Sequence, residues 1–332
     1  MNSSVMTAVM VLALALPSVR ARCEVLEKEF GETFPAPAGT VLRLRHGDGD
    51  VILRPWDRDE IEILVRYRAD RKGLGELSED DFTVDFRSRD GAVEVTGREK
   101  GSGFFGLSVY VVKEYSYTIS APPGTAVDLD GDDGSIEVER WRGDIEIRSD
   151  DGSIELVECS SRSTTIRCED SDIAIDGHSG SLDIDADDAE ILISRGRFDG
   201  CRIVLEDGDV RIRDSEGDIE VVAEDADTEL YRISSSRLDL ESEDGGFDVD
   251  LLGGGPASVE IRTGDGDVEL GLRGGVSARV SVDTGDGRIR VDLPGASDVR
   301  EGGGWWSGTI GKGLGDIKIR TADGSVSIRE LR

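Results

Sequence analysis

An Asp, then a Gly or a residue standing in for it, then two alternating apolar residues: this pattern recurs down most of the 332-residue chain. Aligned on the Gly position the series is Gly134, Gly152, Ser171, Ala189, Gly208, Ala226, Gly245, Gly266, Gly287 and Gly324. The steps are 18, 19, 18, 19, 18, 19, 21, 21 and 37. A fixed interval of this size marks a stacked array in which each unit buries its apolar face only against its neighbours. The final step of 37 hides a missing turn or a long insertion.

Within Gly134 to Asp151, the apolar positions are Ile136 and Val138, then Ile145 and Ile147, each alternating with Ser, Glu, Asp or Arg. Period two is the mark of a half-buried strand. Each repeat therefore predicts two short strands separated by two turns, and the columns persist, as in Val210/Ile212 and Cys201/Ile203. The expected fold is all-β, a parallel β-solenoid with coils of 18–19 residues, flattened into two sheets packed face to face. An antiparallel meander of twenty strands is the competing topology. It would need a second apolar layer, which the sequence does not supply.

Organisation follows from where the pattern starts and stops. Val5–Leu16 is an apolar run too short to span a bilayer, followed by Val19-Arg20-Ala21, so residues 1–21 read as an export signal cut after Ala21. Cys23 sits where a lipoprotein carries its acylated cysteine, but Arg20-Ala21-Arg22 is a poor lipobox. Residues 22–122 hold strand-like runs at irregular spacing and read as a β-rich capping layer over the sheet edge. Residues 123–332 read as the regular solenoid, interrupted at 293–315 by a Gly-rich insertion carrying Trp305 and Trp306. No transmembrane helix is read after the signal. Expected locations are the periplasm, the outer-membrane surface or the extracellular space.

The formal net charge of −32 repels phosphate backbones and anionic lipid, which argues against direct nucleic-acid binding. Only 5% of the residues are aromatic, in keeping with thin stacked sheets. Cys168 and Cys201 fall on inward positions, in columns too far apart for a disulfide, and Cys159 falls near a turn. His46 and His178 have no partners at metal-ligand spacing. No Ser/His/Asp ordering, nucleophile elbow or phosphate-cradling loop is present, so no enzyme is expected; a carbohydrate-active β-helix enzyme using carboxylates of an exposed sheet face is the remaining alternative, though no local break singles out a pair.

The sharpest chemical feature is one acid per repeat: Asp133, Asp151, Asp170, Asp188, Asp207, Asp225, Asp244, Asp265, Asp286 and Asp323. In a solenoid these would form a ladder along one edge, neighbours repelling by about 0.9 kcal/mol in bulk water. Two readings compete. In one, each carboxylate accepts a hydrogen bond from its own turn backbone, an Asx-turn. In the other, successive carboxylates ligate Ca²⁺, as in Gly- and Asp-rich β-rolls. Trp305 and Trp306 likewise offer a sugar-stacking ligand site or a plug for the open end of the stack.

Several segments also resemble a known family. Val51–Asp57 with Glu60-Ile61, Tyr117–Thr125, the DGSIEV and GDIEI repeats, and the closing Gly308–Gly311, Gly315–Ile319 and Asp323–Val326 are similar to a widespread bacterial envelope domain of unknown function known as "putative adhesin". The resemblance covers about Phe34 to Arg332. It implies an exported, right-handed β-helix-like fold, often membrane-tethered, with no catalytic residues to carry over. The expected function is that of a structural or adhesive module. Its partner would be a cell-envelope or surface component, a glycan or a protein.

Overall fold

The computed structural model describes residues 22–73, 81–99, 110–253 and 258–331. The export signal at 1–21 and the Cys23 side chain lie outside the described part. Seven strands precede the regular stack: β1 (Arg22–Pro35), β2 (Val41–Arg45), β3 (Asp50–Pro55), β4 (Glu60–Gly73), β5 (Phe82–Arg89), β6 (Ala92–Glu99) and β7 (Tyr110–Ala121). Six long strands follow: β8 (Ala126–Glu139), β9 (Ile145–Val157), β10 (Ser160–Asp176), β11 (Ser179–Ser194), β12 (Arg197–Arg213) and β13 (Glu216–Ile233). Shorter pairs complete the array: β14 (Arg237–Ser242) and β15 (Phe247–Leu252), β16 (Ser258–Thr263) and β17 (Val268–Arg273), β18 (Ala278–Thr284) and β19 (Ile289–Asp292). The last four are β20 (Ala296–Gly302), β21 (Trp305–Ile310), β22 (Gly315–Thr321) and β23 (Val326–Leu331).

The fold is an all-β solenoid whose successive coils pair in parallel, which rules out the meander. Ile203 lies between Ile184 and Val221, and Ile212 between Ile193 and Leu230, in unbroken register. Because side chains alternate, Cys201, Ile203, Leu205, Val210 and Ile212 of β12 all turn inward and are buried. Each such Ile or Val contributes about 1.5–3 kcal/mol of burial, and the columns merge into one core running the length of the stack.

The two strands expected in each repeat are one strand in most of the regular coils. From β8 to β13 the parallel ladder runs past the Asp-Gly position, so the strand bends there and carries on into the opposite sheet. Only from β14 onward does the chain break into two strands at this edge. Gly152 shows how the bend is made: its φ is +129°, and a Cβ there would stand 2.0 Å from the Gly134 carbonyl oxygen. Ser171, Ala189 and Ala226 occupy the same column without a positive φ, their side chains buried. At the other edge the chain does turn, through the left-handed residues Arg140, Glu158, Arg195, Asp214 and Arg232.

Both ends depart from sequential stacking. The coil β22–β23 inserts between β16–β17 and β18–β19, so the order along the stack is Gly266, Gly324, Gly287. The step of 37 is therefore a coil out of sequence. The segment expected as a loop at 293–315 contains the antiparallel strands β20 and β21, which cover the outer side of β18. At the other end β2 and β3 pair with β8 on their inner side and with β6 and β7 on their outer side. Antiparallel β5 and the pair β4–β1 lie beyond these. Reversed strands end the parallel stacking beyond β6, β7 and β18, in keeping with edge protection, while β19 pairs only with β23 among the described residues. One sheet counts fourteen described strands from β1 to β19, about 60 Å at the usual strand spacing.

Candidate functional site

The acidic positions do stack. Asp133, Asp151 and Asp170 pair in register, as do Asp188, Asp207 and Asp225. The line continues through Asp244 and Asp265 to Asp323 and then Asp286, following the swapped coil. It also starts one coil earlier than the alignment implied. Gly49 N–H donates to the Asp133 carbonyl at 2.7 Å, which places Asp48 at the head of the ladder. Desolvation, and then the charges of Asp48, Asp151, Asp132 and Asp150, hold the Asp133 carboxyl above its usual range.

All ten side chains from Asp133 to Asp323 are exposed. Among the described residues none of their carboxylates has an ion-pair or hydrogen-bond partner. The Asx-turn expectation therefore fails on geometry. In the later coils a hydroxyl three residues before the Gly receives its N–H instead: Ser242 from Gly245 at 2.9 Å, Thr263 from Gly266 at 3.1 Å, Thr321 from Gly324 at 2.9 Å. Carboxylates that do bind backbone stand elsewhere: Asp144 accepts from Ser163 N–H at 3.2 Å, and a recurring set stands one residue past the Gly position. Asp50 accepts from Ser135 N–H at 3.0 Å, Asp227 from Gly246 at 2.8 Å and Asp267 from Ser325 at 2.7 Å, each in the adjoining coil. Sequence reasoning passed over these three. Their signal was an Asp facing a Ser or Gly at the same position of the next coil.

The opposite edge is charge-neutralised. Arg195 forks onto Asp176, Arg232 lies 3.0 Å from Asp214, and Arg197 lies 3.3 Å from Glu216. Cations thus gather at one edge and leave the Asp edge bare. Among the described residues no group of three or more His, Cys, Asp or Glu side chains is placed to hold a metal ion. In the coils from Asp133 to Asp244 a second acid directly precedes each ladder residue, as Asp132, Asp150 and Asp187 do.

The adjacent tryptophans part company because neighbours on a strand face opposite ways. Trp306 turns inward, is 7% exposed, and packs on the core beside Val282. Trp305 turns outward and is 42% exposed. His46 and His178 are buried with both ring nitrogens unpartnered, and burial lowers the pKa of each. Cys159, Cys168 and Cys201 are buried free thiols. A shallow groove on the outer face of β13 and β15 is lined by Arg213, Glu229, Tyr231, Asp248 and Asp250, with Asp250 held by Arg273 at 2.8 Å. Among the described residues no helix is long and apolar enough to cross a membrane.

Comparison with known sequences places this geometry. The family profile described as Toastrack DUF4097 matches residues 40–329. The chain belongs to the Toastrack family. No curated protein matches it. Among solved structures it is similar to one described as a putative cell adhesion protein from Clostridium sporogenes, at 13% identity and a TM-score of 0.23. That match covers 92% of this chain and all of the other. It is also similar to a putative adhesin from Bacteroides fragilis, at 10% identity and a TM-score of 0.28, covering 91% and 97% of the two chains. The Toastrack match starts just before β2 and ends in β23, so it takes in both swapped coils.

Proposed function

We propose that this Toastrack chain is an exported, non-enzymatic structural and adhesive solenoid of the bacterial cell envelope. The observation that carries the reading is the form of its surface: two ladder-bonded faces about 60 Å long, bearing shallow grooves between outward side chains. Such a surface suits contact spread over many residues, whereas turnover needs a few polar groups converging in a concave site. The apolar run Val5–Leu16 supports export. Beads coated with the protein should bind isolated bacterial envelopes saturably and release no reducing ends from their polysaccharides. Beads coated with heat-unfolded protein should not bind. Polysaccharide cleavage, or binding no better than the unfolded control, would sink the reading.

The ladder supports a second reading, in which Ca²⁺ bridges successive carboxylates. The bare state of all ten favours it, and the lack of any three-ligand group weighs against it. Thermal unfolding in Ca²⁺ and in Mg²⁺ at equal ionic strength separates bridging from screening. A shift specific to Ca²⁺ that disappears in Asp207→Asn/Asp225→Asn would establish the bridge.

A further inference from the structure

We infer that the outer face of the last strands, β22, β18, β21 and β20, is a binding platform for an acidic polysaccharide, with Trp305 as its stacking surface. The inference rests on the adhesive reading and names the ligand class.

Two independent features meet there. The first is the seat of the indole. Trp305 pairs across the sheet with Asp283 on one side and Gly302 on the other. A Cβ on Gly302 would stand 2.3 Å from Trp305 Nε1 and 2.7 Å from Cε2, so the ring lies flat over the glycine. One face is sealed against the sheet while the residue remains 42% exposed. A flat, half-open indole on a β-sheet matches the apolar face of a pyranose ring. It does not project as a membrane anchor would.

The second feature is charge. The four platform strands carry four cations, Arg279, Arg300, Lys318 and Arg320, against four carboxylates, Asp283, Asp298, Glu301 and Asp316. That is a locally neutral face in a chain of net charge −32. Arg279 pairs with Asp316 at 2.9 Å, whereas Arg300, Lys318 and Arg320 have no carboxylate within ion-pair distance among the described residues. Inward Ile317 and Ile319 fix the outward direction of Lys318 and Arg320. Arg320 opposes Asp283, which opposes Trp305, and Lys318 opposes Ser281, which opposes Ser307 and then Arg300. Trp305 and three cations outside any ion pair among the described residues therefore share one face within a few strand spacings, with Asp283 between Arg320 and Trp305. A neutral glycan would leave those cations unused. A polymer of uronic-acid type supplies a ring for the indole and a carboxylate for each cation.

The test measures binding of the protein, at physiological salt, to polygalacturonate, to neutral dextran and to phosphatidylglycerol vesicles. Polygalacturonate should bind at least tenfold tighter than dextran. That affinity should fall at least tenfold in Trp305→Ala and again in Lys318→Gln/Arg320→Gln. All three side chains point outward, so unchanged melting temperatures serve as the folding control, and Arg300→Gln gives a second, independent variant. The inference is overturned if polygalacturonate does not bind, if these variants leave its affinity unchanged, or if the vesicles bind with the same sensitivity. Envelope capture without polygalacturonate binding would overturn this inference and leave the adhesive reading standing; failure of both would remove both.

Discussion

The imidazole of His46 packs on the ring of Tyr117 with centroids 4.9 Å apart, where the first coil meets its outer neighbour. Both imidazole nitrogens are buried without a partner. Burial lowers the His46 pKa, opposed by the nearby Gly47 backbone and by the charges of Asp132 and Asp130. The unfolded chain therefore binds a proton that the folded chain resists. Stability should be full above the unfolded value of about 6.5 and decline as the pH falls below it. Melting followed from pH 7.5 to 5 should show this decline, and it should be shallower in His46→Leu. An identical slope in the variant would place the pH dependence elsewhere, His178 being the next group to test.

The bend at Gly152 allows no side chain. A Cβ at φ +129° would also strike the Gly134 carbonyl oxygen. Gly152→Ala should cost at least about 2 kcal/mol in urea denaturation. Ala189→Gly, in the same column with an ordinary φ, should cost about 1 kcal/mol or less. Equal costs would mean that the column has no such division.

Relief of the ladder should stabilise. Asp207 and Asp225 oppose each other in register with no cation beside them. Asp207→Asn/Asp225→Asn should raise the melting temperature by about 2 °C in low salt, with the gain vanishing near 0.5 M salt. Destabilisation by the double variant would show that the carboxylates make a stabilising contact in the folded protein.

Burial pushes the Cys201 thiol up to about 12 and the Cys168 thiol up to about 11. Neither should react with a thiol-specific dye at pH 8 in the folded protein, and both should react once urea unfolds it. Fast labelling of native protein would mean that the core opens far more readily than its packing implies.

The regular coils were legible because one period carried two kinds of information. Alternation at Ile145/Ile147 and Ile154/Leu156 set the faces, and the spacing of the Asp column set the stacking. The strand-like runs read within residues 22–122 include β2, β5 and β6, visible for the same reason. Coil order was not, because parallel pairing depends on which strand lies alongside, and Ile289 and Val326 present the same alternating face. The hydroxyl turns were missed for a related reason. Thr263 reads as one more inward strand residue until its Oγ1 is seen accepting the Gly266 N–H. Of the candidate sites, the sequence marked both the Asp line and the Trp pair. It could not show that the line stands bare, or that Gly302 beds Trp305, since both depend on neighbours remote in the chain or across a hairpin.

The insertion of β22–β23 ahead of β18–β19 has a bearing on how the molecule is made. From β8 to β17 a chain emerging N-terminus first can add each coil to the one before it, with no wait for later sequence. Residues 278–292 then have no permanent neighbour, because their place alongside β16 and β17 belongs to residues still unsynthesised. The stack can be finished only after residue 331 has appeared, when the latecomer takes its inner berth. Until then the growing end exposes raw strand edges, which must be shielded or the chain kept extended.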